Sequence, residues 1–71
     1  MRFMVNSNKI KGRMREKGVT QLAVAKELKI AQPTANQKIN NIRPFDLEEA
    51  EKLAKLLEIP NEEFAAYFFA S

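Results

Sequence analysis

Apolar residues in this chain recur three and four positions apart, the spacing that lines one face of an α-helix, and no stretch alternates strictly as a half-buried strand would. Ile10 and Met14 form the first such pair. Leu22, Ala25 and Leu28, with Val24 widening the stripe, form the second group. Ala35, Ile39 and Ile42 form the third. Leu47, Ala50, Leu53, Ala54 and Leu57 form the fourth and longest. A fifth begins at Phe64 and continues through Tyr67, Phe68 and Phe69.

Start and stop residues divide this pattern into five helices. Asn6 or Ser7 can cap the first, which runs to about Lys17 and ends at Gly18. Gly12 inside it costs about 1 kcal/mol relative to alanine, and is read as allowing close approach of another helix. Thr20 caps the second helix, with Gln21 at its first position. Lys29 and Ile30 make a tight turn that needs a left-handed residue, where lysine costs about 1 kcal/mol or more. Pro33 suits a first helical turn and disfavours a helical Gln32, so the third helix is expected to start at Pro33. Asn40, Asn41, Arg43 and Pro44 form a loop. Asp46 caps the fourth helix with Glu49 as its capping-box partner, and Ile59-Pro60 stops it. Asn61, Glu62 and Glu63 open the last helix, their carboxylates suited to the positive end of its dipole. Residues 1–6 remain as an arm, with Met1 to Val5 apolar enough to pack or to pair as an extended arm and nothing to fix which.

The third helix is the one whose outward side is chemically unusual. Gln32, Thr34, Asn36, Gln37, Lys38 and Asn40 face away from its apolar stripe. Amides and hydroxyls are the groups that read base edges by paired hydrogen bonds. Two short helices joined by a tight turn over about residues 20–40, the second so decorated, read as a helix-turn-helix.

Charge strengthens that reading. The net charge is +3 over 71 residues. Residues 1–43 hold ten basic residues against Glu16 and Glu27, a net +8. Residues 44–71 hold Lys52 and Lys55 against seven carboxylates, a net −5. A basic half that coincides with the polar helix is the footprint of a polyanion partner, and the acidic half is expected to face away from it. Lys11 and Arg15 on the first helix join Lys38 and Arg43 as candidate phosphate contacts.

Other classes lose ground on composition. One domain spans residues 1–71, and a chain of this size buries only about 60 % of its unfolded surface, so association is a natural supplement. Cysteine and histidine are both absent, which removes thiolates, the commonest general base and the commonest metal ligand. No nucleophile–base pair, phosphate loop or metal set can be assembled, so neither catalysis, a cofactor nor a metal is expected. No run of about 18 apolar residues exists, and Met1 to Val5 is too short for a signal peptide, which fits a cytoplasmic protein without a membrane role. The aromatic segment 61–69 crowds four aromatics onto about two turns. Surplus exposed aromatics mark an interface, so Tyr67, Phe68 and Phe69 are interface candidates unless the core absorbs them all.

The run Arg15-Glu16-Lys17-Gly18-Val19-Thr20-Gln21, then Ala25, Leu28 and Ile30, then Leu53-Ala54 with Leu57 and Ile59, resembles the lambda-repressor-like helix-turn-helix family of Cro and phage repressors. The resemblance covers about residues 8–66. More narrowly, Ile10 to Gln21, Asn36 to Asn40 and the Tyr67-Phe68-Phe69 ending are similar to short regulators of temperate phages. The resemblance implies an all-α, five-helix domain whose third helix enters the major groove of a double-stranded DNA operator, in a bacterial host and usually as a dimer, so a homodimer or heteromer is expected. It implies a phosphate contact from Gln21, base reading by Gln32, Pro33, Thr34, Asn36 and Gln37, and backbone contacts from Asn41 and Arg43. Three positions depart from the family pattern: Lys29 replaces the turn glycine, Ala31 the hydroxyl cap, and Lys38 sits near a common buried apolar position. A second implication stands beside the first. A protein of this shape can act as an antirepressor that binds a partner repressor protein, since a basic face suits an acidic protein surface as well as DNA.

Overall fold

The computed structural model describes residues 2–69, and within them five α-helices surround one core. The order is β1 (Arg2–Phe3), α1 (Ser7–Lys17), α2 (Gln21–Leu28), α3 (Gln32–Ile39), β2 (Phe45–Asp46), α4 (Leu47–Leu56) and, after a 3₁₀ turn at Asn61–Glu63, α5 (Phe64–Phe68). Helix α2 packs on α3 and α4, while α1 packs on α3 and α5. The core is assembled from Ile10 and Met14 of α1, Val24, Ala25 and Leu28 of α2, Ala35 and Ile39 of α3, Ala50, Leu53 and Ala54 of α4, and Tyr67 and Phe68 of α5.

Local chemistry explains the helix starts. The Asn6 side chain accepts from the Lys9 amide at 3.2 Å and the Thr20 hydroxyl from the Ala23 amide at 3.1 Å. Asp46 and Glu49 close a full capping box, at 2.8 and 3.0 Å. Helix α3 begins one residue earlier than expected, at Gln32, because the extended Ala31 leaves room for Pro33 at the second helical position.

The helix ends share one device. Gly18, Lys29, Asn41 and Glu58 are all left-handed, with φ of 67°, 57°, 61° and 54°. In each case the following amide reaches back to a carbonyl five residues earlier: Val19 to Met14, Ile30 to Ala25, Ile42 to Gln37 and Ile59 to Ala54. The apolar residue after the turn normally folds onto the core. Val19, Ile30 and Ile59 do so. Ile42 does not; it is 68 % exposed, against the inward position expected of it. The left-handed Asn41 breaks the helical register one residue before Ile42, which a face count would place inside.

Two further expectations are corrected, and one left open is decided. A Cβ at Gly12 would meet nothing within 4 Å, so that glycine serves no close approach. Leu22 is 48 % exposed and Leu47 is also exposed, since each stands in a first helical turn at the rim of the core. The arm settles as a strand: β1 pairs antiparallel with β2, Arg2 opposite Asp46 and Phe3 opposite Phe45. Met1 lies outside the described residues.

That arm is sewn down by long-range bonds. Asn41 grips Val5 twice, its Oδ1 accepting from the Val5 amide at 2.9 Å and its Nδ2 donating to the Val5 carbonyl at 2.7 Å. The Asn6 amide donates to the Tyr67 carbonyl at 2.8 Å, which brings α5 against the arm. Arg13 was not singled out by its sequence, yet it donates to the Leu57 and Glu58 carbonyls at 2.9 and 2.8 Å, the unpaired acceptors at the end of α4.

The aromatic segment turns mainly inward. Phe68 is fully buried, stacks on Phe64 at 4.6 Å and meets the edge of Phe45 at 6.4 Å. Tyr67 is buried too, under the Lys9 ammonium at 4.8 Å. Neither can therefore offer its ring to a partner. Phe69 stays 43 % exposed while resting on Phe3 and Phe64, and is the one member of the expected interface trio still at the surface.

Candidate nucleic-acid interface

Helices α2 and α3, joined by the Lys29–Ala31 turn, carry most of the expected site, and the structure divides those residues into two groups. The first group is occupied inside the molecule. Asn36 Nδ2 donates to Gln21 Oε1 at 2.9 Å, which bolts α3 to the start of α2. Asn40 Nδ2 folds back onto the Asn36 carbonyl at 2.9 Å. Asn41 is committed to Val5, as described.

Lys38 belongs to the same group, which corrects its assignment as a phosphate contact. Its Nζ lies 2.6 and 2.8 Å from the two Glu49 oxygens and 3.3 Å from the Pro44 carbonyl, and it stands 6.0 Å over the Phe45 ring. The two side chains are only 14 % and 16 % exposed. A cation so paired has satisfied its donors and cannot release Glu49 without leaving a half-buried carboxylate unmatched. Glu49 thus serves both the α4 cap and the α3 clamp.

The second group faces outward. Gln32, Pro33 and Arg43 are exposed, and Thr34 and Gln37 are half-buried. None of these side chains holds a hydrogen bond among the described residues. Gln21, Gln32, Pro33, Asn36, Gln37 and Ile42 line one shallow groove along α3. No carboxylate lines it, so a developing contact with an acceptor-rich base edge or a phosphate meets no like charge there. The first turn of α3 also keeps its amides unclaimed by a cap, because Ala31 has no side-chain oxygen. Lys11 and Arg15 are exposed one turn apart on α1 and are not among the residues that line this groove.

Sequence reasoning passed over two residues of this surface. Ile42 places a large apolar side chain among the amides of the groove, and Leu22 is exposed on the neighbouring α2. The signal for Ile42 was present in the Asn40-Asn41 pair, since asparagine is the commonest non-glycine residue in a left-handed helix stop.

Among the described residues no group of three acidic, cysteine or histidine side chains could hold a metal ion, and no helix is long and apolar enough to cross a membrane. A family described as "Protein of unknown function (DUF739)" matches residues 3–71. The chain belongs to the DUF739 family. No curated protein matches it. The groove on α3 and the bonds that hold it lie within the matched residues.

Proposed function

We propose that this domain is a sequence-specific DNA-binding regulator of transcription of the lambda-repressor-like, Cro or phage-repressor type, acting in a bacterial cytoplasm on a lysis/lysogeny-like switch. The observation that carries the reading is the α3 groove: Gln32 and Gln37 line it without internal partners, and no carboxylate is among its lining residues. Glutamine pairs in two bonds with adenine in the major groove, each good pair contributing about 1–3 kcal/mol of discrimination. Arg43, just past α3, supplies a phosphate contact that holds register without reading sequence. Phe69 is the remaining aromatic available to a homodimer or heteromer contact.

Selection of binding sites from a random duplex pool tests the reading. A recurrent motif is expected, relaxed by Gln32→Ala or Gln37→Ala at separate positions, while Arg43→Ala weakens all sequences alike. Equal affinity of the wild type for selected and random duplex would defeat it.

The second reading, an antirepressor that docks on a partner repressor protein, is favoured by one observation: Ile42 and Leu22 are exposed on the same α2–α3 unit. Apolar side chains ringed by polar ones suit the centre of a protein interface. Removal of a neighbouring repressor's mobility shift by this protein, which itself shifts nothing, selects that reading.

A further inference from the structure

Helix α3 is flanked by two crevices of opposite character. The amide groove lies on one side. On the other is a crevice of about 180 Å³ whose walls include Arg2, Thr34, Lys38, Arg43, Pro44 and Glu49. Arg2 reaches it only because β1 pairs with β2 in the register that sets Arg2 opposite Asp46, and because Asn41 fastens Val5 at the end of α3.

Three cations and the Glu49 carboxylate line this crevice, with Asp46 opposite Arg2 on the paired strand, but they are not equivalent. Glu49 is held by Lys38 and by the Asp46 amide, and Asp46 by the Glu49 amide. Arg2 and Arg43 form no ion pair among the described residues. Two exposed guanidinium groups beside the Thr34 hydroxyl present donors suited to the oxygens of a phosphodiester. A helix seated in the major groove, about 12 Å wide, has a phosphate strand along each flank. We infer that Arg2 and Arg43 form a phosphate clamp on the cationic flank of α3, Arg2 being a contact delivered by the strand-paired arm.

The inference rests on the DNA-binding reading, and the test separates the two. Fluorescence anisotropy with a labelled duplex is run from low to high salt for the wild type, Arg2→Ala, Arg2→Lys and Lys55→Ala, the last in a separate pocket lined by Leu47, Glu58 and Phe64. Thermal melts confirm folding, which backbone pairing in β1 preserves without the Arg2 side chain. Arg2→Ala is expected to weaken binding to every duplex and to flatten the salt slope by about 0.9, the share of one released phosphate contact. Arg2→Lys should restore most of that slope, and Lys55→Ala should leave it unchanged. A slope for Arg2→Ala equal to that of the wild type overturns the clamp while leaving DNA binding intact. If the wild type binds no duplex, the functional reading fails, and a titration with inorganic phosphate followed by amide chemical shifts decides the site alone. Shifts confined to Arg2, Thr34 and Arg43 sustain an anion site; shifts scattered over all basic residues overturn it.

Discussion

Helices α3 and α4 pack in one small domain but are stabilised by opposite means. Helix α4 is specified locally. It has its capping box, carboxylates in its first turn, Lys55 in its last and a Glu48–Lys52 pair at 3.5 Å along its side. Helix α3 has almost none of this. Ala31 gives no cap, and threonine and asparagine are middling helix formers. What holds α3 comes from elsewhere in the chain: Glu49 on Lys38, Gln21 on Asn36, and the Ser7 hydroxyl on the Ile39 carbonyl at 2.7 Å. The difference has a physical sense. A helix held from behind by its neighbours does not need its own outward side chains for capping or pairing, and α3 leaves Gln32, Thr34 and Gln37 uncommitted.

The comparison breaks most easily at Lys38. Lys38→Ala strands Glu49, and we expect a loss of about 2–4 kcal/mol, below the figure for a fully buried pair because both side chains keep some exposure. Urea unfolding measures it. Lys38→Met, which keeps the stem over Phe45, should lose less. A smaller loss from Lys38→Ala than from any change in the α4 cap would reverse the contrast between the two helices.

Asn41→Ala comes next. It removes two bonds to Val5 and places a Cβ residue without a local hydrogen bond at φ 61°. At about 1 kcal/mol per bond plus about 1 for the left-handed backbone, the expected loss is about 2–3 kcal/mol. Asn41→Gly restores the backbone alone and should fall between the two. Equal stability of the glycine and alanine variants would show that the backbone term is negligible here. Asp46→Ala, by contrast, removes one local cap from a helix that has other local support, and about 1 kcal/mol is expected. Circular dichroism melts rank all three on one scale.

These magnitudes also explain which parts of the molecule could be read in advance. The starts of α1, α2 and α4 and the end of α1 were legible because Asn6, Thr20, Asp46 and Gly18 act through neighbours three to five positions away. Helix α4 instead ends at Leu56, short of the expected Ile59-Pro60, and α5 begins at Phe64 after a 3₁₀ turn rather than at Asn61. The sheet was not, since a two-residue strand has no alternation to count. The same distinction governs the site. Gln32, Thr34 and Gln37 face outward as their spacing on α3 required. Lys38, Asn36 and Asn41 carry identical chemistry for a phosphate, a base or another part of the chain, and their partners Glu49, Gln21 and Val5 lie 11, 15 and 36 residues away. Composition sees the donor; only the fold shows that it is already used. Gly12 was misread for a related reason, as nothing in a lone glycine says whether a neighbour comes close. With open space around it, Gly12→Ala is expected to raise stability by about 1 kcal/mol, seen as a higher urea midpoint at unchanged slope.

The smallest expected effect concerns the turn that delivers α3. Lys29 holds φ 57° and ψ 45°, the conformation that Gly18 supplies without strain at the end of α1. Lysine there costs about 1–2 kcal/mol. Glycine relieves that strain but gives the unfolded chain more freedom, worth about 0.5–1 kcal/mol in the other direction. The balance for Lys29→Gly is a gain of about 0.5–1 kcal/mol, or about 2–8 °C in melting temperature for a domain of this size. A clear drop instead would mean that the lysine stem stabilises the turn by more than its backbone strain. The left-handed stop would then be one more case, beside Lys38, of a lysine kept by this fold for contacts its position in the sequence does not announce.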